Sequence, residues 1–70
     1  MYYANFTANN GTSFKNPITG NNKKNLIRDI RNIAEGERFL GNKCFWSVRD
    51  DSGIYVAAGG VDSNGRRYRL

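Results

Sequence analysis

The chain has 70 residues, with 11 Lys and Arg against 6 Asp and Glu, a formal net charge of +5 and a pI near 9.8. A single cysteine, Cys44, excludes an internal disulfide, and the absence of histidine excludes a Cys/His metal site and a His-based catalytic triad. A chain this short makes one small domain, residues 1–70, that buries about 60% of its unfolded surface and depends on a dense core or on oligomerisation.

Residues 2–8, YYANFTA, alternate so that Tyr2, Ala4, Phe6 and Ala8 share one face, which predicts a strand. The segment that follows, NNGTSFKNPITGNN, is rich in Asn, Gly, Ser and Thr and holds the only proline, Pro17. This is the composition of a long loop, with Phe14 and Ile18 as candidate anchors to the core.

A helix is expected over about residues 22–36. Asn22 is a suitable N-cap, because its side-chain oxygen accepts from a free N–H of the first turn. Leu26, Ile30, Ile33 and Ala34 follow the spacing of a buried stripe, with Ile27 at its edge. Gly36 is a natural stop, and ERFLGN after it has room for a short turn before Gly41.

The last third predicts a three-strand antiparallel meander over about 44–50, 54–60 and 66–70. Asp51, Ser52 and Gly53 form a three-residue loop with Gly53 left-handed, so that Asp50 pairs with Ile54. Cys44, Trp46, Val48, Ile54, Val56 and Ala58 then share one apolar face. The device repeats with Ser63, Asn64 and Gly65, pairing Asp62 with Arg66. It places Tyr68 and Leu70 on the apolar face, beside Gly60 and Ala58. A competing Asn64–Gly65 two-residue turn needs a bulge at Gly59–Gly60. The fold class is α+β, one helix packed on one face of a small antiparallel sheet.

On this register the opposite sheet face carries Phe45, Ser47, Arg49, Tyr55, Ala57, Gly59, Arg67 and Arg69. Arginines neutralise phosphates and aromatic rings stack on bases, so Arg49, Arg67, Arg69, Phe45 and Tyr55 form one candidate anion site. The face also suits cross-strand stabilisation, a homo-oligomer contact, or cover by the N-terminal segment folded over it. A second candidate is the helix start, where Lys23, Lys24 and Arg28 sit near free N–H groups. Arg31 is spaced to pair with Glu35, and Glu35 with Arg38, whereas Lys24 and Arg28 have no acid three or four residues away.

No pair of carboxylates is placed for acid–base or magnesium chemistry, Gly59–Gly60 lacks the context of a phosphate loop, and Cys44 is expected in the core as an inert thiol. The reading is a non-enzymatic module with no cofactor and no membrane span. The N-terminus lacks the regions of a signal peptide, so a cytoplasmic setting is expected, in which the glycosylation triplets at Asn5 and Asn10 carry no meaning. The charge points to nucleic acid first.

Residues 21–60 resemble small orphan proteins of bacterial phages and mobile elements, through Asn22, Lys23, Lys24, Ile30, Arg31, Ala34, Gly36, Phe39, Gly41, Asn42, Cys44, Trp46 and Val48. The resemblance implies a bacterial host cytoplasm. It also implies an alternative function: inhibition of a host defence protein, as anti-CRISPR proteins do, or an oligomeric sponge for a nucleotide signal. It assigns no functional residue, and the positive charge argues against DNA mimicry.

Overall fold

The computed structural model describes residues 1–11 and 13–70. Thr12, part of the expected loop and of the second glycosylation triplet, lies outside them. The elements in chain order are β1 (Tyr2–Ala8), β2 (Ile18–Gly20), α1 (Lys23–Phe39), β3 (Cys44–Arg49), β4 (Tyr55–Val61) and β5 (Arg67–Arg69). They build one antiparallel sheet in the order β2-β1-β3-β4-β5, with α1 across one face. The class is the expected α+β. The sheet has five strands because β1 pairs with β3 and because part of the expected loop, Ile18–Gly20, pairs with β1. The loop is anchored as its composition suggested: the Phe14 ring packs against Phe6 at 5.5 Å between centroids.

Asn22 caps α1, its Oδ1 accepting from the Asn25 N–H at 3.0 Å. The helix does not stop at Gly36 but runs three residues further. Its end is set at Gly41, whose φ of +81° only glycine adopts cheaply. There the Gly41 N–H donates to the Arg38 carbonyl and the Asn42 N–H to the Glu37 carbonyl, satisfying the last turn. Leu26, Ile27, Ile30 and Ala34 are buried, and Ile33, expected in the stripe, is exposed on its flank. On the sheet side the core includes Ala4, Phe6 and Ala8 of β1, which share the face their alternation predicted, and Cys44, Trp46 and Val48 of β3, which were expected there.

Both hairpins have the expected three-residue loops. Gly53 and Gly65 are left-handed, and the N–H groups of Asp50 and Asp62 donate to the carbonyls of Ile54 and Arg66. The Asp50 and Asp62 carboxylates each accept two backbone N–H groups of their own loop. Turn chemistry expected of Asp51 thus belongs to Asp50, and Asp51 instead takes the N-terminal ammonium at 3.0 Å.

The expected faces fail after the first loop. Arg49 pairs with Tyr55 but Val48 pairs with Ala57, so Val56 is an extra residue in a β-bulge. Beyond it every side chain of β4 and β5 changes face. Ala57 and Val61 enter the core and Val56 is only partly buried, while Ile54, which keeps its expected pairing with Asp50 ahead of the bulge, is 63% exposed. The expected pairing of Gly60 with Tyr68 holds, yet it now lies on the open face. Arg67 and Arg69, expected on that open face, stand on the helix side, and neither Tyr68 nor Leu70 is a core residue. The physical reason is Trp46. The bulge seats it opposite Gly59, where an added Cβ would come within 2.8 Å of the indole Cζ2. Without the bulge Trp46 would oppose Ala58.

Candidate anion-binding cleft

The helix packs on the first four strands and stands off from β5. Between α1 and β5 this leaves a cleft of about 780 Å³, lined by Trp46, Gly60 and Val61, by the helix and by the short strand Arg67–Arg69. Lys23, Lys24, Arg28 and Arg31 line it from the helix, and Arg67 and Arg69 from β5. Glu35 is the one carboxylate residue in the lining. The bulge at Val56 therefore joins two sets that the sequence kept apart: the helix-start cations and the last two arginines now share one concave surface.

Glu35 closes one end of this surface. Its two oxygens accept from Arg67 Nε and Nη2, both at 2.7 Å, a bidentate pair, and Oε1 also accepts from Arg38 Nη1 at 3.0 Å. Arg38 in turn donates from Nε to the Gly65 carbonyl at 2.7 Å. The hydrogen bonds from Arg67, with the positive charges of Arg67 and Arg38, pull the Glu35 carboxyl down to about 2. The same pairing raises Arg67 above its ordinary value. Arg67 is thus committed to holding β5 against α1. The expected Arg31–Glu35 pair does not form, because Arg67 and Arg38 occupy both oxygens.

Among the described residues, Lys23, Lys24, Arg31 and Arg69 have no carboxylate partner, and Arg28 leans on its exposed neighbour Asp29 at 3.3 Å. Four uncompensated cations on one concave surface repel one another, and an anion entering the cleft relieves that repulsion.

The other expected site residues lie elsewhere. Arg49 sits on the open face with its guanidinium 4.5 Å from the Tyr3 ring centroid, a cation–π pair across β1 and β3. The Asp51 carboxylate beside it raises the Tyr3 phenol. Phe45 and Tyr55 are exposed on the same open face. The structure therefore separates Arg49, Phe45 and Tyr55 from Arg67 and Arg69. Among the lining residues that were not expected in a site are Arg31, assigned to an ion pair, and Tyr68, assigned to the core. No local signal marks either, because both depend on where β5 faces.

The Cys44 thiol is buried, its Sγ 4.0 Å from the Ala34 carbonyl, and burial pushes its pKa up. Among the described residues no three His, Cys, Asp or Glu side chains gather as a metal site, and no helix is long and apolar enough to cross a membrane. The chain matches no protein-family model, no characterised protein and no solved structure.

Proposed function

We propose that this protein is a non-enzymatic binding module that takes a nucleic acid into the cleft between α1 and β5. One observation carries the reading: six cationic side chains line that cleft against one carboxylate, Glu35. Lys24, Arg28 and Arg31 are spaced over seven residues of helix, about 10 Å. A row of that length suits successive phosphates of a polymer better than one small anion. The resemblance of residues 21–60 to small phage and mobile-element proteins supports a setting in a bacterial cytoplasm.

A second reading, an inhibitor that docks on a host defence protein, is favoured by the end of α1. Phe39 is 89% exposed and Leu40 72% exposed there. Salt separates the two. Phosphate binding releases counterions and weakens steeply with salt, whereas docking through an apolar hot spot does not.

The test is fluorescence anisotropy with a labelled oligonucleotide at low and moderate salt, on the native chain and on Lys24→Glu with Arg69→Glu. Neither residue has an internal ion pair among those described, so charge reversal leaves the fold's contacts intact. The double variant is expected to lose affinity by at least about tenfold and to show a shallower salt slope. Unchanged affinity and slope reject the cleft as the site.

A further inference from the structure

Phe45, Gly60 and Tyr68 lie in register across β3, β4 and β5 on the open face. Gly60 has no side chain, and the Tyr68 ring lies over it: its Oη is 2.9 Å from where a Gly60 Cβ would be. Phe45 is 43% exposed and Tyr68 40% exposed, so both aromatic side chains are accessible on this face. Strands two apart are separated by about 10 Å, the span of about three stacked nucleotides.

Tyr68 also joins two hollows. It lines the basic cleft, and it lines a second hollow of about 610 Å³ together with Thr7, Lys43 and Phe45. Lys43 has no carboxylate partner among the described residues. The acid in that hollow, Asp62, has one carboxylate oxygen taken up by the Asn64 and Arg66 N–H groups. No strand residue of the open face is a carboxylate, and Asp51, in the hairpin loop beside Tyr3, is taken by the N-terminal ammonium. Cations and aromatic rings thus follow one another from the helix, over the three-residue edge strand β5, to Phe45 and Lys43.

Resting on the proposal that the cleft holds phosphates, we infer that the ligand is a single-stranded nucleic acid that crosses the edge strand β5, with phosphates of one stretch in the cleft on the helix side and the bases of the adjoining stretch stacked on Tyr68 and Phe45 on the open face. Interleaved cations and aromatic rings are what an unpaired strand needs, because each base offers a face to stack on and each phosphate a charge to neutralise. A duplex keeps its base faces inside the helix and offers only phosphates and groove edges, so the two rings add nothing to its binding.

The experiment compares three probes on the native chain at moderate salt: a strand of about 12 thymidines, an abasic strand of the same length, and a duplex of the same length. The abasic strand keeps every phosphate and lacks every base. The thymidine strand is expected to bind about 5-fold tighter or more than either other probe, from stacking of one or two bases. Phe45→Leu and Tyr68→Leu keep an apolar side chain but remove the ring, and each is expected to shrink that preference. Equal affinity for the thymidine and abasic strands overturns the inference and leaves phosphate binding in the cleft standing. Binding of none of the three removes both. A stable dimer that no strand disperses, with Phe45 and Tyr68 buried in it, also overturns the inference. The comparison of probes decides the matter on the native chain even where a variant fails to fold.

Discussion

Glu35 accepts from Arg67 and Arg38 at once, and its carboxyl is held at about 2 against an ordinary 4.5. A depressed folded pKa means stability that is fully present above the unfolded value and lost as pH falls toward the folded one. The window for Glu35 therefore runs from about 4.5 down to about 2. Asp51, lowered from 3.8 by its hydrogen bond to the N-terminal ammonium, acts in the same direction below that value. Urea midpoints measured from neutral pH down to about pH 3 should fall less steeply for Glu35→Gln than for the native chain. The same substitution leaves the cleft without its carboxylate, so phosphate binding at neutral pH should tighten. The glycines allow a second comparison, one pair with opposite signs. A Cβ at Gly59 meets the Trp46 indole and the Tyr68 carbonyl, so Gly59→Ala should cost about 1–3 kcal/mol. A Cβ at Gly36 meets nothing within 4 Å, so Gly36→Ala, in the helix interior, should stabilise by about 1 kcal/mol. Equilibrium unfolding followed by Trp46 emission measures both.

The β-bulge decides what β4 and β5 present. Pairing Trp46 with Gly59 and Cys44 with Val61 puts the largest core side chain over a glycine and a valine at the end of the core. One extra residue, Val56, reconciles that register with the loop that pairs Asp50 and Ile54. Deleting Val56 joins Tyr55 directly to Ala57 and leaves a regular ladder with the same two hairpin loops. The deletion should therefore keep the fold and the blue-shifted emission of a buried Trp46. The cost is the partial burial of Val56, about 1 kcal/mol. Loss of cooperative unfolding in the deletion would contradict this account of the bulge. The elements themselves were legible in the sequence because their signals are local: the Asn22 cap, the Leu26–Ile30–Ala34 spacing, and an Asp and a Gly three residues apart at each hairpin. The three-residue β2 was not. ITG is too short to show alternation, and it is a strand only because β1 lies beside it.

Across the whole molecule the charge of +5 is unevenly spread. Six cations line the cleft, while the open face carries Arg49 over Tyr3. About four uncommitted cations meeting a single strand give a salt slope of about −3 in log affinity against log salt, close to a 50-fold loss between about 50 and 200 mM. Titration of a labelled strand across that range measures the slope, and a slope near zero would favour a protein partner at Phe39 and Leu40. The core residues Trp46, Cys44 and Val48 were readable because a strand's alternation assigns faces whenever the strand is unbroken. The cleft was not readable. In IYVAAGG, Ala57 and Ala58, and then Gly59 and Gly60, are so alike that neither face announces itself.

By itself the sequence determined the helix and its start, both hairpin loops, the sheet-side core of β3, the side chains of β1 that share a face, and an excess of positive charge. Each rests on residues a few positions apart or on composition, which no tertiary contact is needed to interpret. Only the tertiary structure decided that Arg67 and Arg69 face the helix and meet Lys23, Lys24, Arg28 and Arg31. That outcome depends on one indole settling over Gly59, thirteen residues along the chain. Strand faces alternate with a period of two, so a single inserted residue reverses everything after it.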